Sequence, residues 1–245
     1  METGQVQQLR GKVAVITGAG GGLGRRLALA FAEAGAVIAA TDQTPEGLME
    51  TVRQIQTQSS SIKGYSADIT RPGQVTALVE EMLRDWGKID ILVNIPILPN
   101  RITLQELSDW EWQFFLDHNL SAPFYLMRAV SPYMTLQAGG VILNFSAAEK
   151  LGLNEDGLGA FFACNAALIS MTRTAARELD GDNIRVHAIC SGDLALYIGE
   201  IDENFESEVS LEMLSGIAKL AIYLSSHDAS HLTGQILQIN RAPEA

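Results

Sequence analysis

Seven short apolar runs recur along this chain, each separated from the next by a longer stretch. They are Val13–Thr17, Val37–Thr41, Ile62–Ser66, Ile89–Val93, Val141–Phe145, Ile184–Ile189 and Gln235–Ile239. Within each run the residues are almost continuously apolar rather than alternating, as in strands covered by helices on both faces. Helical patterns fill the intervals at Leu23–Ala34, Pro45–Gln58, Pro72–Trp86, Asp109–Leu136, Gly157–Leu179 and Glu212–Ser225. Pro45 and Pro72 stand where first helical turns are expected, a position that suits a fixed φ and a missing N–H donor. This alternation predicts an α/β, doubly wound fold: three layers, with a seven-stranded, mostly parallel sheet in the middle. A length of 245 residues fits one domain spanning 1–245, with residues 1–8 reading as a polar, flexible tail.

Composition narrows the partners. The net charge is −12 and the pI about 4.7, which argues against nucleic acid and anionic membrane surfaces. No apolar stretch has transmembrane length. Two cysteines, Cys164 and Cys190, offer neither a disulfide framework nor metal-ligand spacing, so a reducing, cytoplasmic setting is expected and no metal. An acidic cluster from Glu200 to Glu212 reads as a solvated face.

The first apolar run ends in Thr17-Gly18-Ala19-Gly20-Gly21-Gly22-Leu23-Gly24 and passes directly into a helix. Glycines there allow a tight turn and let backbone approach a diphosphate. The helix start then offers unpaired N–H groups and a positive dipole end to the anion. The second run ends at Asp42, in place either to accept from ribose hydroxyls or to cap the following helix. A carboxylate there repels a 2′-phosphate, so NAD(H) is favoured over NADP(H).

These pieces, in this order, resemble the short-chain dehydrogenase/reductase family, and within it the 3-oxoacyl-carrier-protein reductases. Thr17–Gly24 matches that family's Thr-Gly-x-x-x-Gly-x-Gly. Asp68-Ile69 resembles the step after the third strand that meets adenine. Asn94 matches the first residue of an Asn-Asn-Ala-Gly motif, Asn119 the Asn of a proton relay, and Leu232-Thr233-Gly234 the turn into the last strand. The resemblance implies a Rossmann-type fold. It implies cofactor contacts at Gly18, Gly20, Gly22, Leu23, Gly24, Asp42, Asp68, Ile69 and Asn94. It also implies dimers or tetramers built on the two long helices, as a homo-oligomer or with a related subunit.

The departures from the family pattern gather in one place. Its catalytic Ser falls on Ala147, its Tyr on Phe161 and its Lys on Asn165, and no Tyr-x-x-x-Lys occurs anywhere. Asn119 is the one catalytic position retained. Ile95-Pro96-Ile97 replaces Asn-Ala-Gly, and Leu196 replaces a Thr that would bond the nicotinamide amide. Phe161 has no proton to give, Ala147 has no donor, and Asn165 carries no charge but can still hydrogen-bond a ribose. Such losses predict that ordinary carbonyl–alcohol chemistry is gone while the adenine side of the site remains, so that NAD(H), its adenylate half, or no nucleotide binds. Tyr197, Lys150, Cys164 and Asn119 are candidates for a different chemistry, the first three with plainer readings as packing or solvated surface, and Ser146 could replace Ala147 only if the strand register slips by one.

Overall fold

Side chains alternate between the two faces of a strand, and in this chain both sets are apolar. The computed structural model describes residues 7–57, 60–96, 101–147, 156–191 and 208–239 (of 208–211 the backbone only). Ala14 and Ile16 of strand β1 (Val13–Thr17) pack into one core, while Val15 between them packs into the other. Strand β2 (Val37–Asp42) does the same with Ile38 and Ala40 against Ala39. The first core is closed by helices α1 (Gly22–Glu33), α2 (Pro45–Thr57) and α7 (Glu208–Ser225). The second is closed by α3 (Pro72–Trp86), α5 (Ala122–Leu136) and α6 (Gly159–Glu178).

Five further strands complete the sheet: β3 (Ile62–Ser66), β4 (Ile91–Asn94), β5 (Gly140–Ala147), β6 (Ile184–Ser191) and β7 (Ile236–Ile239). Their order is β3-β2-β1-β4-β5-β6-β7, and every pairing is parallel. This is the doubly wound, Rossmann-type α/β fold expected from the alternation. Chain order reverses between β1 and β4, which opens a crevice at the carboxyl ends of those strands.

The stretch expected as one helix from Asp109 to Leu136 is two. Helix α4 (Asp109–Leu116) opens on a capping box: the Ser108 hydroxyl accepts from the Glu111 N–H, and the Glu111 carboxylate accepts from Ser108. A π-turn over Asp117–Ser121 then separates α4 from α5. Two side chains reach back one turn within it: Asn119 Nδ2 donates to the Phe115 carbonyl at 3.2 Å, and His118 Nδ1 lies 2.9 Å from the Phe114 carbonyl. Single π-turns inside α-helices cluster at functional sites, and this one carries Asn119.

At the far end of the sheet, Arg185 of β6 donates to the carbonyls of Leu224, Ser226 and Ala229, covering the end of α7. Two residues on, His187 is 0% exposed, and neither ring nitrogen has a hydrogen-bond partner. Burial, reinforced by the nearby Arg185 cation, pushes its pKa down to about 4, and a backbone contact at Leu232 offsets this only in part. The folded chain therefore binds this proton less well than the unfolded chain. Protonation linkage at His187 takes no stability above the ordinary histidine pKa, and folding weakens as pH falls from there towards 4. Lowering the pH from 8 to 4.5 is expected to cost about 2–3 kcal/mol through this one residue. Urea denaturation of His187→Leu against the parent chain checks this: the variant should show the smaller acid loss.

Candidate functional site

Because all strands run the same way, their carboxyl ends share one edge. That edge carries the Gly-rich turn after β1, Asp42 after β2, Asp68 after β3, Ile95 after β4, Ala147 at the end of β5 and Ser191 at the end of β6.

Close packing explains the turn. A Cβ on Gly24 would fall 2.0 Å from the Gly18 carbonyl oxygen, so only glycine lets α1 begin this near to β1. No side chain caps α1 and no acidic residue occupies its first turn, which leaves the positive end of the helix open to an anion. The Gly20 N–H donates to Asp42 Oδ2 at 2.8 Å, and the Thr44 N–H donates to Asp42 Oδ1 at the same distance. Asp42 thus fixes the turn and the approach to α2, and it remains partly exposed.

On the adenine side, Asp68 Oδ1 accepts from the Thr70 N–H, the Thr70 hydroxyl and Gln43 Nε2 at 3.0, 2.5 and 3.0 Å. Burial raises the Asp68 pKa, but the Thr70 bonds and the nearby Arg71 and His118 outweigh it and hold the carboxyl below its usual range. Ile69 is half-buried against the second core. The Asn94 side chain turns inward. It is buried, and its Nδ2 donates at 2.8 Å to Asn144, which in turn donates to Thr172. Its side chain is therefore spent inside the sheet–helix layer rather than on the rim.

Ala147, Phe161 and Asn165 come together in space where β5 meets α6. Phe161 is 0% exposed and packs with Ala147, Leu158 and Phe162 in a small apolar cluster. Asn165 corrects the expectation placed on it. It is 3% exposed, its Oδ1 accepts from the Ala147 N–H at 2.7 Å and the Ser146 hydroxyl at 2.8 Å, and its Nδ2 donates to the Phe161 carbonyl at 2.8 Å. The amide holds the end of β5 onto α6. The register pairs Ser146 with Cys190 and Ala147 with Ser191, so Ser146 points into the helix layer and does not stand in for the missing hydroxyl. Cys164 packs under Phe115 and Ala160, and burial pushes its thiol up to about 11, which makes it inert. Ile97, Lys150, Leu196 and Tyr197 lie outside the described residues.

Reading by residue type overlooked the support beneath the turn. Arg25 of α1 donates to the Gly20 carbonyl of the turn and to the Gly47 carbonyl of α2, and Thr51 of α2 donates to the Ala19 carbonyl. They lie far apart in sequence, and their only local signal is a charged residue directly after the last glycine. Among the described residues there is no metal-binding cluster of His, Cys, Asp and Glu. Nor is any helix there long and apolar enough to cross a membrane.

Comparison with known proteins places this arrangement. Residues 12–198 match the model of a family described as short chain dehydrogenase. The 3-oxoacyl-[acyl-carrier-protein] reductase FabG of Thermotoga maritima is 31% identical over 241 residues, covering 95% of this chain and 98% of the reductase. A (2S)-[(R)-hydroxy(phenyl)methyl]succinyl-CoA dehydrogenase subunit, BbsD of Thauera aromatica, is 29% identical over 94% of this chain and 96% of its own length. Among solved structures, a hydroxysteroid dehydrogenase from Escherichia coli superposes with a TM-score of 0.82 at 28% identity, covering 96% of this chain and 98% of that one.

The Asn165 contacts predict a stability role. Asn165→Leu removes the acceptor of the buried Ala147 N–H and one bond of the Ser146 hydroxyl, and should cost about 1–3 kcal/mol. Asn165→Lys, the family residue, should also destabilise, because an ammonium cannot accept either bond. Chemical denaturation reads both.

Proposed function

The chain belongs to the short chain dehydrogenase family, and on that premise we propose that it binds NAD(H), or the adenylate half of it, without performing the family's carbonyl–alcohol reaction. One observation carries the reading: the Ala147–Leu158–Phe161 cluster is wholly apolar and buried at the positions where the family places its proton donor. Bound nicotinamide supplies hydride transfer; the chain must supply the proton. A buried phenyl ring and a methyl group hold none, and Asn165 is engaged with Ala147, Ser146 and Phe161. Loss of general acid–base catalysis alone costs roughly 10²–10⁴ in rate. Loss of a carbonyl-polarising donor costs roughly 10²–10³ where it acts by itself. The groups work as a unit, so these factors do not multiply.

The adenine side fits the nucleotide. The Gly-rich turn and the uncapped start of α1 suit a diphosphate, the partly exposed Asp42 carboxylate suits a ribose diol, and Asp68 with Ile69 lies where adenine would rest. Asp42 carries a negative charge with no cation paired to it, which disfavours a 2′-phosphate.

Calorimetry tests this reading. NAD, NADH and ADP should bind with affinities within a few-fold of one another, and NADP roughly tenfold or more weakly. No binding of any of them at millimolar concentration would remove the nucleotide part. Turnover of carbonyl substrates at rates typical of reductases would remove the claim of lost chemistry.

The proposal includes self-association, or pairing with a related chain. Trp110 and Trp112 of α4 and Phe124, Tyr133 and Leu136 of α5 are exposed large apolar side chains on the long helical element. Arg128 lies over the rings of Phe124 and Tyr125, at 5.0 and 5.5 Å from their centroids. Sedimentation of the purified chain should give a dimer or tetramer; a monomer at high micromolar concentration would count against self-association.

A further inference from the structure

Beneath the Gly-rich turn lies a polar clamp that neither the turn's sequence nor the family resemblance assigns. Arg25, on the first turn of α1, sends its Nη2 to the carbonyls of Gly20 and Gly47, the second at 3.1 Å, and its Nε to the Thr51 hydroxyl at 2.9 Å. Thr51 is fully buried and donates in turn to the Ala19 carbonyl at 2.6 Å. From the other side, the Gly20 N–H is held by Asp42 and the Ala19 N–H by the Thr41 carbonyl at 3.2 Å. Helix α2 closes against the same peptide so tightly that a Cβ on Gly47 would lie 2.3 Å from the Gly20 oxygen.

Arg25 and Thr51 fasten the Gly20 and Ala19 carbonyls, while Asp42 and the Thr41 carbonyl take up the N–H groups of the same two residues. A glycine-rich turn has many conformations open to it, and an anion is bound well only by N–H groups already aimed at it. We propose that Arg25 and Thr51 are positioning residues for diphosphate recognition. They anchor the Ala19 and Gly20 carbonyls against α2 and so fix the path of the chain into α1, whose first N–H groups, after Gly21, are then aimed before a ligand arrives. Neither residue touches the nucleotide. The inference rests on the nucleotide reading above and adds to it which buried groups make the phosphate half of the site.

The clamp acts on phosphate alone, and that separates it from general structural support. Binding of ADP by calorimetry is compared with binding of adenosine by saturation-transfer NMR, on the full chain and its variants. Arg25→Leu should weaken ADP about tenfold or more while adenosine stays within about twofold. Thr51→Val, which keeps shape and charge and removes one hydroxyl, should weaken ADP by about three- to tenfold, and Thr51→Ser should not. Arg25→Lys keeps the charge but loses the planar fork that spans two carbonyls and a hydroxyl, and should also weaken ADP. Equal weakening of ADP and adenosine in these variants would overturn the proposal by making the clamp mere scaffolding. Parent-like ADP affinity in Arg25→Lys together with Thr51→Val would overturn it by leaving charge alone as the cause. If Arg25→Leu fails to fold, Thr51→Val still decides. Failure of the parent chain to bind ADP would instead sink the nucleotide reading itself.

Discussion

Burial of the central sheet on both faces is the constraint from which the other features follow. Strands covered on each side by helices are parallel here, and parallel strands need a crossover after every one. All the turns that follow strands therefore lie along one edge. The reversal of order between β1 and β4 sets the crevice in the middle of that edge. The Gly-rich turn, Asp42, Asp68, Ala147 and Ser191 are neighbours because of this geometry, although they are spread over some two-thirds of the chain. The two apolar cores on which it depends are drawn from alternate residues of the same strands, as Ala14, Val15 and Ile16 illustrate.

Much of this was legible in the residue pattern, for physical reasons that also mark where it stopped. Strand positions followed from continuous apolar runs, but strand ends did not. Ile89 is as buried as its neighbours and so read as part of β4, yet the strand begins only at Ile91. Before it, the Asp90 side chain accepts from the Val13 N–H at 2.8 Å. Strands β5 and β6 run further than expected, to Ala147 and Ser191, because their ladder continues up to the site edge. The helix from Asp109 to Leu136 carries one unbroken period, so the π-turn at Asp117–Ser121 could not be seen in spacing. At the site, the family motif singled out Ala147, Phe161 and Asn165, which the fold brings into contact. It could not tell what a substituted side chain does once there. Asn165 binding β5, and Asn94 turned inward to Asn144, depend on partners that only the packed fold brings near.

The replacements divide by how they treat volume. Phe161 and Ala147 keep nearly the shape of the family residues and shed polar atoms, which a tight core tolerates. Asn165 is different, since it exchanges a long cation for a short amide that gains new bonds to Ala147 and Ser146. On the opposite side of the crevice the groups suited to phosphate and ribose are held by several mutually dependent contacts, with Asp42 serving both the turn and α2. One half of the site is organised around polar atoms and the other around their removal.

That asymmetry bears on the routes open to the chain over generations. With Asn165 knitting β5 to α6, the amide has become part of what keeps the sheet's edge in place. A single reversion at this position meets a loss of folding free energy before any reaction is regained, and Phe161 and Ala147 would still lack their hydroxyls. The way back to an acid–base centre therefore crosses intermediates that are both less stable and still inert. On the proposed function, Asn165 would act as a ratchet, a local hydrogen-bond exchange that makes the family's reaction hard to regain one substitution at a time.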